Sequence, residues 1–210
     1  MVALMDSLSE ALIHGDRQKV SQLTTQALEE GVAPSKVLED GLIAGMMVVG
    51  NRFRANEVYV PEVLIAARAM HAGLDILQPA LTQAGIEPSG VVVLGTVKGD
   101  LHDIGKNLVG MMLTGGGLKV VDIGIDASAE KFVEACKENG AQVCAMSALL
   151  TTTMPQMAEV IKALKAANVT AKIIIGGAPV TQNYANDIGA DGYAPDAASA
   201  VDVVQSLIGE

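Results

Sequence analysis

A 210-residue chain with a formal charge of −10 lacks the clustered cations that hold a phosphate backbone, so DNA and RNA are excluded as partners. Half of the residues are apolar, yet there are only three tyrosines, two phenylalanines and no tryptophan, so the core must be built from Ala, Val, Leu, Ile and Met. The longest apolar run, residues 41–50, is about half of the ~20 residues that span a bilayer, and Asp6 and Glu10 do not suit a secretory signal, which points to the cytoplasm and away from a membrane.

Residues 1–84 carry helical periodicity alone. Met1, Leu4, Met5, Leu8 and Leu12 share one face, and Val20, Leu23, Ala27 and Leu28 a second. Leu38, Leu42, Gly45, Met46, Val49 and Phe53 form a third, and Val63, Ala67, Met70, Leu74 and Leu77 a fourth. His14-Gly15-Asp16, Gly31 with Pro34, and Asn56 to Pro61 separate them, so short loops connect four antiparallel helices in a small bundle.

Gly85, Pro88 and Gly90 mark a change of pattern, and the domain boundary is placed there: 1–88 helical, 89–210 α/β. Strands are expected at Val91–Val97, Lys119–Gly124, Gln142–Ser147, Lys172–Ile175 and Gly192–Ala194. Helices are expected near 104–114, 128–138, 155–167, 181–188 and 196–208. Such alternation implies a doubly wound, five-stranded parallel sheet covered on both faces, with its ligand site beyond the carboxyl ends of the strands.

Three loops fall at those ends. Asp100-x-His102-x-x-Gly105 follows the first strand, Ser147 to Thr153 the third, and Gly176-Gly177 the fourth. An aspartate two residues before a histidine can hold one ring nitrogen as N–H and leave the other free for a metal; the alternative is a loop histidine bonded for order alone. The hydroxyls of Ser147, Thr151, Thr152 and Thr153 can bind a polar ligand or cap the next helix. Cys136 and Cys144 lack paired metal or redox spacing and are read as core. Asp103 is read as a helix cap, Lys106 as a solvated or ligand-tail contact, and His14 and His71 as surface or bundle-edge residues.

Taken together, Asp100-x-His102-x-x-Gly105, then 41 residues, Ser147-x-Leu149, then 26 residues, Gly176-Gly177, resembles the signature of cobalamin-binding proteins in which a histidine replaces the cofactor's own base. The preceding helices, with Gly50-Asn-Arg-Phe53 and Val58-Tyr-Val-Pro-Glu62, look like the helical cap of corrinoid methyl carriers and of the cobalamin module of methionine synthase. The resemblance covers nearly the whole chain and implies a flavodoxin-like (Rossmann-like) sheet domain behind a four-helix cap.

It further implies His102 as the lower ligand of cobalt, Asp100 behind its ring, and Thr153 where methionine synthase has a serine. The nucleotide tail of a cobalamin or related cobamide would lie beside Gly105, Ser147, Leu149, Thr151, Gly176 and Gly177. Tyr59 would cover the upper face of the ring, with Leu64 and Met70 behind it or, alternatively, in the bundle core. The implied role is a carrier subunit that moves a methyl group on cobalt from a donor-specific methyltransferase to an acceptor methyltransferase. The donor would be a methylamine, methanol, a betaine or an aryl methyl ether, the acceptor tetrahydrofolate or a thiol, and a reductive activation protein would serve the cofactor. A cobalamin-binding sensor and a mutase cobalamin subunit are the alternatives. A phosphate-receiving regulator is rejected because Ser147 stands where an aspartate is needed, and Gly105-Lys106-Asn107 lacks the features of a phosphate loop.

Overall fold

The computed structural model describes residues 2–209, so Met1, expected on the first helical face, lies outside the described residues. The chain divides into two units: residues up to 89 together with 114–117, and residues 90–113 together with those from 118 onward.

In the first unit, helices start and stop where the sequence supplies the chemistry. The chain leaves α1 (Val2–Ile13) through Gly15, at a φ of 69°, and Asp16 caps α2 (Arg17–Glu29) by accepting from the Lys19 N–H at 2.9 Å. Pro34 opens the short α3 (Pro34–Lys36), and α5 (Val60–Gln83) has Pro61 in its first turn, with the Tyr59 N–H donating to the Glu62 carboxylate at 3.0 Å. One expected helix is altered. Val37–Ile43 is π-helical, its wide turn closed by the Ala44 N–H on the Glu39 carbonyl, and α4 (Ala44–Arg54) follows without a break. The wider turn shifts the buried face to Val37, Gly41 and Leu42, so Leu38, expected inside, is only half-buried.

Leu8, Leu12, Val20, Leu42, Met46, Met70 and Leu77 are fully buried in this unit. Aliphatic helices without large aromatics must approach closely to exclude water, and Gly45 makes this possible: a Cβ there would sit 2.9 Å from the Ser9 carbonyl oxygen. Met70, 1% exposed, belongs to this core rather than to a ligand-facing surface. Leu64 is half-buried and Tyr59 is 64% exposed.

The second unit alternates β1 (Val91–Thr96), α6 (Ile104–Gly115), β2 (Lys119–Asp122), α7 (Ala129–Asn139), β3 (Val143–Ser147), α8 (Pro155–Ala166), β4 (Lys172–Gly176), α9 (Gln182–Ile188), β5 (Gly192–Ala194) and α10 (Ala197–Gly209). All strands are parallel, in the order β2-β1-β3-β4-β5. Val92, Val93, Leu94, Cys144, Met146 and Ile173 to Ile175 are buried on the strands, with Phe132, Met157, Leu164 and Val204 on the helices. A sheet covered on both faces needs continuous apolar strands, which is why these runs were readable from the sequence. β2 is shorter than expected and ends at Asp122, where the carboxylate turns back to accept from the Gly124 N–H at 2.8 Å.

Strand order reverses between β1 and β3, the place where such sheets open a crevice. The register fixes what meets there: Thr96 pairs with Ser147, and Ser147 with Gly176, so three loops leave the sheet from one line across it.

Candidate functional site

From that line the loop after β1 carries Asp100 and His102, and the loop after β3 carries Leu149 to Thr153. The Asp100 side chain is 0% exposed and each of its oxygens has its own partners. Oδ1 accepts from the His102 backbone N–H at 3.1 Å and lies 2.7 Å from His102 Nδ1. Oδ2 accepts from the Leu149 N–H at 2.8 Å, the Leu150 N–H at 3.3 Å and the Thr153 hydroxyl at 2.8 Å.

Burial alone pushes the Asp100 carboxyl up, but the bonds from the His102 ring, the Leu149 amide, the Thr153 hydroxyl and the His102 amide outweigh it. Together they hold the acid well below the usual carboxylate range. An ionised Asp100 can only accept, so Nδ1 carries the proton between them, and in the neutral ring the lone pair is on Nε2. The His102 side chain is 51% exposed. Around it stand side chains that an apolar ligand would cover: Leu101 and Ile104 are 67% and 77% exposed, and Leu149 and Leu150 are exposed as well.

The Thr153 hydroxyl has one proton and two acceptors in reach, Asp100 Oδ2 at 2.8 Å and the Leu150 carbonyl at 2.9 Å. It is buried and committed to Asp100, and the first turn of α8 has no side-chain cap, so the helix-capping alternative for this loop is corrected. Thr151 is exposed beside it, and Ser147 is half-buried at the strand end.

The glycines divide by environment. Gly177, at a φ of 128°, packs so tightly that a Cβ would lie 1.9 Å from the Ala148 carbonyl oxygen, and at Gly176 a Cβ would lie 3.0 Å from the Ala194 carbonyl oxygen. At Gly105 nothing lies within 4 Å of a Cβ, so the start of α6 is open to a ligand.

Several contacts escape the sequence. The amides of Leu149 and Leu150 hold Asp100, but a backbone N–H leaves no mark in residue identity. Lys106, read as solvated or tail-contacting, is 3% exposed and donates from Nζ to Asp122 and, at 2.7 Å, to Asn107. Its partner lies sixteen residues on in sequence, and only the parallel pairing of β1 with β2 brings the two together. Asp103 precedes α6 as expected, and its carboxylate accepts from the Asn107 side-chain amide at 3.1 Å. His14 and His71 are exposed, and Cys136 and Cys144 are free and buried.

Among the described residues no three His, Cys, Asp or Glu side chains gather as a metal cage. A site that offers one ring nitrogen suits a metal whose other ligands come from a macrocycle.

Comparison with known proteins agrees. Residues 90–202 match a B12 binding domain family, and residues 4–78 match a second one. The chain belongs to the B12-binding corrinoid proteins. It is 41% identical over 215 residues to a corrinoid protein of Desulfitobacterium hafniense, covering 100% of both chains. A trimethylamine corrinoid protein of Methanosarcina acetivorans is 39% identical over 203 residues, covering 95% of this chain and 94% of that one. The methanol:cobalamin methyltransferase complex from Methanosarcina barkeri contains a chain that superposes with a TM-score of 0.89 at 30% identity, over 99% of this chain and 80% of that one.

The residues fit the family's corrinoid cofactor. His102 offers one exposed ring nitrogen, Leu101, Ile104, Leu149 and Leu150 offer exposed apolar surface, and the start of α6 at Gly105 is open. No helix among the described residues is long and apolar enough to cross a membrane.

Proposed function

We propose that this corrinoid protein carries a methyl group on the cobalt of a cobalamin or related cobamide, between a methyltransferase that takes the group from a donor and one that passes it on. When bound, the cofactor supplies the metal that accepts and releases the methyl group. The observation that carries the reading is the single bond on the His102 ring, with Nδ1 fixed on a buried carboxylate while Nε2 has no protein partner among the described residues. The related trimethylamine corrinoid protein and the methanol:cobalamin methyltransferase complex support a small methylated amine or alcohol as donor.

His102 Nε2 would hold the metal in this reading. Asp100 orients the ring and holds the Nδ1 proton. Held on Asp100 through Nδ1, the ring would present Nε2 to the metal, with the carboxylate beside it to balance positive charge on the imidazole. The Thr153 hydroxyl follows Asp100, donating to it while it is ionised and able to turn to the Leu150 carbonyl if it is not. Gly105, Ser147, Leu149, Thr151, Gly176 and Gly177 would hold the nucleotide tail, and the exposed Tyr59 would cover the ring. A tetrahydrofolate- or thiol-dependent acceptor methyltransferase and a reductive activation protein complete the system. Free thiols at Cys136 and Cys144 suit a reducing compartment such as the cytoplasm.

The test is reconstitution with hydroxocobalamin, followed by cobalt content and the visible spectrum of wild type and His102→Ala. One cobalt per chain with a histidine-ligated spectrum, converted to a histidine-free spectrum in the variant, is expected. Retention of no corrinoid by the wild type would refute the reading. Transfer of a labelled methyl group from the loaded protein to a thiol, dependent on an acceptor methyltransferase, tests the carrier role itself.

A further inference from the structure

The His102 loop is held from its far side by a second set of contacts that the corrinoid reading does not use. Lys106, at the start of α6, is buried and donates to the Asp122 carboxylate at the end of β2. The other oxygen of Asp122 accepts from the Gly124 N–H at 2.8 Å, and the Gly124 carbonyl accepts from the Thr96 N–H at 2.9 Å. The buried Thr96 hydroxyl then donates to the His102 carbonyl at 2.9 Å, which closes a circuit through His102 and back along the chain to Lys106. Two residues past Gly124, Asp126 takes the Gly99 N–H on its carboxylate at 2.6 Å and donates its own N–H to the Asp100 carbonyl at 3.0 Å.

These bonds do more than the sheet requires. The ladder of β1 with β2 ends at Leu94 and Asp122 and a last parallel bridge joins Val97 to Ala127, so the contacts at Gly99 and Asp100 fall on the loop and that at Lys106 on the first turn of α6. A buried ammonium is costly unless paired, and this chain spends it on joining the start of α6 to the exit of β2. Gly99 stands at a φ of 82° and Asp126 at 50°, so both backbones are held in a left-handed conformation where they meet.

We infer that the exit of β2, through Asp122 on Lys106 and Asp126 on Gly99, is a positioning element that presets the His102 loop for axial ligation. Neither acid bonds the His102 ring; they act by restricting where the imidazole can go. The inference rests on the corrinoid reading of His102, deepens it, and can be tested apart from it.

Lys106→Met keeps the buried aliphatic stem and removes the tether, and Asp126→Ala removes the exposed carboxylate that accepts from the Gly99 N–H. Asp122→Asn keeps an oxygen for Gly124 while removing the charge that Lys106 meets. In protein without corrinoid, amide hydrogen exchange of residues 99–105 is expected to quicken about tenfold in each variant, the size that follows from losing one hydrogen bond to a charged group. With hydroxocobalamin bound, the ratio of histidine-on to histidine-off spectra should fall by a similar factor while cobalt content stays at one per chain. A role in fold stability alone would lower the unfolding midpoint and leave that ratio unchanged, and this outcome in the folded variants overturns the inference. Should Lys106→Met fail to fold, Asp126→Ala decides by the same two readings. A wild-type protein without a histidine-ligated spectrum refutes the parent reading instead, and the exchange measurement, which needs no corrinoid, still decides the tether.

Discussion

Asp100 is the residue on which the site depends, because every one of its partners is a donor. Asparagine in its place offers one oxygen and one NH₂ group. With the NH₂ toward His102, it meets the His102 amide and the Nδ1 proton; with the NH₂ toward the other loop, Thr153 can accept from it by turning to Leu150, but the Leu149 and Leu150 amides cannot. Asp100→Asn should therefore destabilise the second unit by about 1–3 kcal/mol, read by denaturant unfolding, with either orientation leaving a buried donor unmatched. The acid also sets a pH dependence. Its folded-state pKa lies below its unfolded value, so its contribution to stability is fully present above the ordinary carboxylate pKa, about 3.9, and is lost as pH falls through the depressed folded value. Unfolding free energies measured from pH 6 downward should fall more steeply below about pH 4 in wild type than in Asp100→Asn. Equal slopes would show that this carboxylate is not the group being protonated.

At the scale of the elements, the glycines of the two loops that flank the strand ends behave oppositely. Gly177→Ala forces a Cβ against the Ala148 backbone at a φ that side chains avoid, so a loss of at least about 3 kcal/mol is expected in the protein without cofactor. Gly105→Ala meets open space at the start of α6 and removes glycine from a helix, so stability should be unchanged or rise by up to about 1 kcal/mol. Hydroxocobalamin uptake should nonetheless weaken if the tail passes Gly105, and titration of both proteins by absorbance checks this; unchanged uptake would remove Gly105 from the site. The same elements show what a sequence can and cannot display. The central strands were legible because a doubly covered sheet demands runs such as Val91 to Leu94, between Gly90 and Gly95, and Ile173 to Ile175, before Gly176. Asp100 and His102 were legible through residue type and spacing, and Thr153 through the resemblance to methionine synthase. The π turn was not, because its extra residue changes register without changing composition, and Leu38 was therefore assigned inward. Lys106 was misread because its partner Asp122 sits on a neighbouring strand, and pairing across a sheet has no local signal.

For the whole molecule, the decisive property is that the site residues are not shared out evenly along the chain. Asp100, His102, Gly105, Leu149, Thr153 and Gly177 all belong to the second unit, which has its own core around Phe132, Met146 and Ile175, whereas the first unit is built on Leu8, Leu42 and Met70. A ligand that binds the folded site and not the unfolded chain stabilises what it binds by mass action, about 2.7 kcal/mol when its free concentration is a hundred times its Kd. For a unit of roughly a hundred residues this moves the midpoint by about 10 °C. Calorimetry of the full chain with and without excess hydroxocobalamin should then show the transition that includes the second unit rise by that order. His102→Ala should rise less, because the axial bond no longer contributes while the apolar contacts and the tail site still do. A midpoint that stays in place for the wild type would mean that the folded second unit has no preference for the corrinoid, and the axial role of His102 would fall with it.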